Sequence, residues 1–199
     1  MFEKKLYLVL ISVLLLIFTS IYFFINTNEL YAQNNYFLNP TKDIRMFNWG
    51  ASVEEVLNNE NAEFVKEDNK GNKIFKVNIN DISFRLKYFF TIANDMTRQE
   101  LSSAIYINNK KYKNKGEIVD DFYKLSDYIN NQLNNKSNVE EVWKNEKYKT
   151  DNEEKFYQLI LDDYLELNNL WFDDGNIIEM KLFKAQKKLK NVIIINPYF

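Results

Sequence analysis

Carboxylates are the groups in this sequence that could carry out acid–base or metal chemistry. Two adjacent pairs stand out, Asp162-Asp163 and Asp173-Asp174. The chain has no His and no Cys, which excludes thiolate nucleophiles, thiolate metal sites and the usual general base near neutral pH. Catalysis would therefore need a carboxylate working with a Lys, Tyr or hydroxyl group, as in a carboxylate-dependent hydrolase.

Neither acidic pair has the spacing of a metal or catalytic motif. A calcium loop needs several oxygens from a spaced pattern such as D-x-D-x-D-G, which this sequence lacks. The stretch Asp173-Asp174-Gly175-Asn176 is typical of a hairpin turn. The pair Asp162-Asp163 suits the solvent side of a helix. We therefore predict no catalytic residue, no metal site and no cofactor, and keep a hydrolase as an alternative.

A third acidic pair, Glu54-Glu55, is better interpreted as the start of a helix. Ser52 and Glu55 match the capping box, in which the Ser hydroxyl accepts from the backbone amide three residues later. Both Glu side chains also favour the positive end of a helix dipole. Val56 and Leu57 begin the predicted apolar side, and we expect Trp49 to fold back onto the core.

The N-terminus predicts export to the outside of the cytoplasm. Lys4 and Lys5 precede an uncharged apolar run, Leu6 to Ile25, of about 20 residues, enough to cross a bilayer as a helix. The Lys pair places the N-terminus inside. Two alternatives stay open: an uncleaved membrane anchor over residues 1–25, or a signal peptide cleaved after Ala32. Residues 26–43 are Asn-rich and are predicted to be a linker.

The 199 residues are 46% apolar and 16% aromatic, enough for a packed core. The formal net charge of −2 does not favour nucleic acid as a partner. We therefore predict that the exported part, residues 44–199, is a folded domain. Its possible halves are residues 44–112 and 113–199.

Residue patterns predict an α+β fold, an antiparallel sheet with helices packed on one face. The stretch Ile82–Thr91 alternates as a half-buried strand, and Glu117–Asn134 has helical apolar spacing. A three-strand meander is predicted near the C-terminus, with Pro197 suiting an edge strand. In the weaker strand "QELSSAIYIN" we expect these side chains to face inward: Leu101, Ser103, Ile105 and Ile107.

The stretch "NWGASVEEVLNN" resembles the W-G-x-[ST]-x-E-E-V helix start of exported α+β proteins. The outer-membrane assembly lipoprotein BamE and the β-lactamase inhibitory proteins share this helix-on-sheet plan. The later stretch "LWFDDGNIIEMKL" is similar to a hairpin of uncharacterised exported proteins of this kind. The chain differs from BamE in its greater length and in lacking a Cys for lipidation. The resemblance implies protein binding or scaffolding in the cell envelope.

The outward face of the predicted sheet is our candidate interaction surface. If the strand registers are right, it displays a mixed set of side chains: Arg85, Lys87, Phe89, Glu179 and Lys181. A basic loop, Lys110–Lys115 with Tyr112 inside it, could instead meet anionic lipid or an acidic partner, or be an ordinary solvated loop. We expect a non-catalytic envelope protein with a protein partner. The alternative within binding proteins is an inhibitor of an extracytoplasmic enzyme.

Overall fold

The computed structural model of the protein describes residues 44–112, 116–186 and 188–198. The predicted membrane segment Leu6–Ile25, the linker 26–43 and the possible cleavage site at Ala32 lie outside these residues. Among the helices that are described, none is both long enough and apolar enough to cross a membrane.

Eight antiparallel strands form a single sheet, so the chain is an α+β protein. The strands lie side by side in the order β1-β2-β3-β4-β8-β7-β6-β5. Their bounds are β1 Glu63–Glu67, β2 Lys73–Ile79, β3 Ile82–Ile92, β4 Gln99–Asn108, β5 Glu140–Trp143, β6 Leu165–Asp173, β7 Asn176–Ala185 and β8 Lys188–Pro197.

In the described residues three α-helices accompany the sheet: α1 Val53–Asn59, α2 Glu117–Leu133 and α3 Phe156–Leu161. The predicted cap of α1 is confirmed, because the Ser52 hydroxyl accepts from the Glu55 amide at 3.1 Å. The prediction of α2 is confirmed as well, and Asn134 ends this helix in the left-handed conformation that favours Asn and Gly. Two short 3-10 turns, Glu146–Tyr148 and Glu153–Lys155, lie between β5 and α3.

The sheet is built from two halves of the chain that meet at its centre. Residues 44–112 contribute α1 and the meander β1–β4, and residues 116–198 contribute α2, α3 and β5–β8. β4, the last strand of the first half, pairs with β8, the last strand of the second half, in the middle of the sheet. The hydrogen-bonded sheet therefore continues across the boundary between the halves.

One face of the sheet carries the core. In β3 the alternating residues Ile82, Phe84, Leu86 and Tyr88 are almost fully buried, as the sequence predicts. Equivalent positions in the other strands join the buried side chains of α2 and α3 in one apolar cluster. Trp49 packs against this cluster, as expected, and its Nε1 donates to the Asn176 side chain at 2.8 Å.

The predicted inward positions of β4 are wrong beyond Leu101. Ala104 and Tyr106 are buried instead, whereas Ile105 and Ile107 lie on the opposite face. The register of β3 and β4 shifts between Phe89 and Phe90, which pair with Ser103 and Leu101 and leave Ser102 as the extra residue. A bulge inserts one residue into one strand, and a shift of one residue exchanges the two faces.

The prediction that Pro197 suits an edge strand is also wrong. Its strand, β8, lies in the centre of the sheet between β4 and β7. Proline is tolerated there because the pairing of β8 with β4 ends at Ile195, two residues earlier. The missing N–H of Pro197 therefore interrupts no hydrogen bond to β4.

The core also contains a buried ion pair that links the start of the described chain to the end of α1. Arg45 donates to both carboxylate oxygens of Glu60, at 3.1 Å from Nε and 3.0 Å from Nη2. The side chains are 2% and 0% exposed. The Tyr88 hydroxyl and the Ala62 amide complete the set of donors to Glu60, at 2.6 and 3.0 Å.

Candidate docking face

We call the less buried side of the sheet the open face. It consists of the strand positions that alternate with the core positions. The five residues of the predicted interaction surface all lie on strand positions of this face and are at least partly exposed. Its members on the six middle strands include Ile74, Lys76, Arg85, Lys87, Phe89, Ile105, Ile107, Val192, Ile194, Ile177, Glu179, Lys181, Asn168, Leu170 and Phe172.

The register of the central strands gathers the aliphatic residues of the open face into one patch. Ile105 of β4 pairs with Ile194 of β8, and Ile107 pairs with Val192. We call these four residues the central strip. Two adjacent strands are about 10 Å wide including their flanking spaces, and successive residues on one face are about 7 Å apart along a strand. The strip is therefore an apolar patch in the middle of the sheet, in which the three isoleucines are partly exposed and Val192 is 9% exposed.

Charged residues border the central strip on both sides. On β3, Lys87 pairs with Ile105 and Arg85 pairs with Ile107. On β7, Glu179 pairs with Ile194 and Lys181 pairs with Val192. Three cations and one anion therefore flank the strip, which gives the open face an apolar centre and a polar rim, the arrangement found at many protein interfaces.

Two of the three flanking cations already have an anionic partner. The Lys87 ammonium lies 2.5 Å from Asp68 and 4.5 Å from the centre of the Phe89 ring. This ammonium and the Asn72 amide hold the pKa of Asp68 well below its usual range. The Lys181 ammonium lies 2.7 Å from Glu179.

Arg85 differs from these two lysines. It is exposed, and within residues 44–112, 116–186 and 188–198 no carboxylate lies within ion-pair distance of its guanidinium. Its neighbour on β2, Lys76, reaches Glu63 at 3.5 Å. Arg85 is thus the cation beside the strip that is left for an anion outside the described residues.

An exposed aromatic corner extends the apolar surface at one end of the open face. Leu170, Phe172 and Tyr198 are 44%, 53% and 61% exposed. The rings of Phe172 and Tyr198 meet edge to face, 5.9 Å between centres. Ile177 pairs with Phe172 and with Asn196 of β8, so it joins the corner to the central strands.

The acidic pairs of the sequence lie at opposite ends of β6. Asp163 follows α3 and forms an ion pair with Lys144 at 2.6 Å. Asp174 occupies the two-residue turn between β6 and β7, with Gly175 at φ 80°, as predicted for a hairpin. The ends of a nine-residue strand are separated by about 26 Å, so the two pairs cannot act on one group. Among the described residues, no three carboxylates are arranged to hold a metal ion.

The described part of the basic loop is tied to the start of α2. The Lys110 ammonium lies 2.7 Å from the buried carboxylate of Asp121. The Tyr112 hydroxyl meets Asn108 at 2.5 Å, and burial next to Asp121 raises the pKa of Tyr112. Lys113 and Lys115 lie outside the described residues. Of the predicted loop cations, Lys110 is therefore already engaged within the fold.

A cleft of about 550 Å³ lies between α2 and the second 3-10 turn. Its lining includes three carboxylates and two tyrosines: Asp120, Glu153, Glu154, Tyr123 and Tyr157. Partial burial and the nearby Glu153 raise the pKa of Tyr123 to about 12. This hydroxyl is therefore protonated near neutral pH and is a hydrogen-bond donor rather than a base.

Sequence reasoning missed the residues that make the open face apolar. Ile105 and Ile107 were expected in the core, because no residue type marks the bulge at Ser102. The aromatic corner was missed as well, since Phe172 and Tyr198 are distant in sequence and meet only when β6 and β8 flank β7. The alternation of β6 could have revealed Phe172, which is two residues from Leu170 on the same face.

Comparison with family models, with curated proteins and with solved structures found no significant match. The resemblance of the Asn48–Asn59 motif to exported helix-on-sheet proteins therefore stays a prediction from the sequence.

Proposed function

We propose that the protein is a non-catalytic binding or scaffolding protein of the cell envelope, exported and anchored in the membrane or secreted. In this proposal its open face docks a protein partner. The observation that carries the proposal is the central strip, whose three isoleucines are partly exposed between charged rows on β3 and β7. Burying such a patch would contribute roughly 25 cal/mol for each Å² of apolar area removed from water.

Export is supported by the sequence. The Lys4-Lys5 pair and the apolar run Leu6–Ile25 are typical of a signal anchor or signal peptide. In the proposed arrangement the helices cover one face of a two-layer domain, and the other face is directed to solvent outside the cytoplasm. The absence of Cys from the chain is compatible with such a compartment, because no thiol can be oxidised there.

The alternative of a carboxylate-dependent hydrolase has less support. It needs two titratable groups converging in one cleft with separated pKa values. The two Asp pairs that the sequence offers lie at opposite ends of β6 and do not converge in one cleft. The acidic cleft beside α2 contains carboxylates, but its tyrosine with a raised pKa cannot serve as a general base near neutral pH.

A crosslinking pull-down of the full-length chain from native membranes tests the proposal. The variant Arg85→Glu/Lys87→Glu reverses two charges of the open face, and Lys124→Glu/Lys155→Glu makes the same charge change on exposed helical positions. We expect one dominant partner that the control retains and the open-face variant loses, with unchanged circular dichroism in both. If both variants retain the partner, its docking site lies elsewhere on the chain. If no partner is found at all, the proposal is contradicted.

A further inference from the structure

We propose that the partner presents an amphipathic α-helix that lies along β8 and places an acidic residue opposite Arg85. This inference rests on the proposed function and deepens it by naming the element that docks. It follows from three features of the open face: its width, the direction of its apolar path, and Arg85, the exposed cation that flanks the central strip.

The width of the central strip fits a helix. Charged rows on β3 and β7 border two strands, β4 and β8. Two strands and their flanking spaces span about 10 Å, close to the diameter of an α-helix with its side chains. A partner strand would instead add to a free sheet edge, where unpaired backbone groups are available. On the face of a sheet the backbone is already paired, so side chains must provide the contact.

The apolar path also sets the length of the helix. It runs along β8 from the nearly buried Val192 through Ile194, passes the exposed Asn196 beside Ile177, and ends at Tyr198, which packs against Phe172. Six residues of an extended strand cover about 20 Å. A helix rises about 1.5 Å per residue, so roughly 13 residues are needed to cover this path. Apolar side chains at helical spacing on one side would meet the strip and the aromatic corner.

The charges favour such a helix over a membrane or a second copy of the chain. Anionic lipid attracts clusters of unpaired Lys and Arg, whereas two of the three cations that flank the strip, Lys87 and Lys181, are already paired with Asp68 and Glu179. A second copy would bring the same excess of cations to a self-complementary interface. A helix with one carboxylate beside its apolar stripe supplies what Arg85 lacks, an anion for a bidentate hydrogen bond.

Photocrosslinking from three positions of the full-length chain in native membranes tests the inference. The photoreactive residue p-benzoyl-phenylalanine replaces Val192, Ile194 or Tyr198 one at a time, and Lys124 on α2 is the control position. The crosslinked residues are then located in the partner by mass spectrometry. We expect crosslinks from positions 192 and 198 to fall about 13 residues apart in one segment, the spacing of a helix over this distance.

A charge reversal completes the experiment. Arg85→Glu should lower the crosslink yield from position 194 at least tenfold, and changing the partner's acidic residue to Lys should restore it. Crosslinks about six residues apart in the partner would show an extended strand and would overturn the helix while leaving the docking face intact. Crosslinks to a second copy of this chain would overturn the inference as well. Adducts with lipid only, or no adducts, would overturn the proposed function itself.

Discussion

Removing Arg45 should destabilise the fold far more than removing an exposed charge. In Arg45→Met, Glu60 loses two of its four donors yet remains completely buried. A buried charge without its partner costs about 3–5 kcal/mol. Arg45 has φ 48°, and Met is likewise unbranched at Cβ, so the backbone contribution is similar in both proteins. We expect the free energy of unfolding to fall by about 3–5 kcal/mol.

The double variant Arg45→Met/Glu60→Leu separates the charge effect from the packing effect. It removes both charges and leaves the Tyr88 hydroxyl and the Ala62 amide without Glu60, at a cost of about 1–3 kcal/mol each at most. The double variant should therefore lose less free energy of unfolding than the sum of the losses in the two single variants. The difference, the coupling energy, should be roughly 3 kcal/mol.

Urea unfolding of the full-length chain in mild detergent measures these energies. Circular dichroism reports the sheet, and the fluorescence of the three Trp residues, of which Trp171 is buried, reports the core. Lys155→Met, at an exposed position of a 3-10 turn, is the matched control and should stay within about 0.5 kcal/mol of the parent. A loss of less than about 1 kcal/mol for Arg45→Met, or simple additivity of the two single variants, would refute the reasoning.

Three further predictions address the faces, the turns and the titrating groups. Ile193→Ala, on the core face, should cost about 2–5 kcal/mol, whereas Ile194→Ala on the open face should cost roughly 1 kcal/mol; similar losses in urea would contradict the assignment of faces. Gly175→Ala should cost about 1 kcal/mol, since φ is +80° and nothing lies within 4 Å of an added Cβ; an unchanged urea midpoint would argue against this turn. Burial and the nearby Glu60 raise the pKa of Tyr88 above its usual 10.0. The folded chain therefore keeps the Tyr88 proton at a pH where the unfolded chain has released it. The contribution of protonated Tyr88 to the free energy of unfolding is complete below pH 10 and is lost as the pH rises further. When the free energy of unfolding is measured from pH 8 to 11, it should fall less in Tyr88→Phe than in the parent protein.

Local sequence patterns were sufficient for the individual elements. Ser52 and Glu55 marked the start of α1, and the apolar spacing from Ile118 to Leu133 marked α2. The alternation of Ile82–Tyr88 marked β3 and its buried face. These signals work because hydrogen bonding within a turn and the periodicity of a helix or strand depend on neighbouring residues alone.

The position of each strand in the sheet could not be predicted in the same way. Pro197 suggested an edge, yet β8 is central because it pairs with β4 from the other half of the chain. Pairing between strands distant in sequence depends on which surfaces fit together, and no single strand carries that information.

The sequence by itself predicts an export signal, excludes Cys and His chemistry, and indicates the α+β pattern of helices and alternating strands. The tertiary structure alone decided the candidate site. A bulge at Ser102 turned Ile105 and Ile107 outward, and the pairing of β4 with β8 joined them to Val192 and Ile194. The same pairing placed charged rows on either side and left Arg85 exposed beside the strip. A docking face is a property of several strands together, because its members become neighbours only after their register is set.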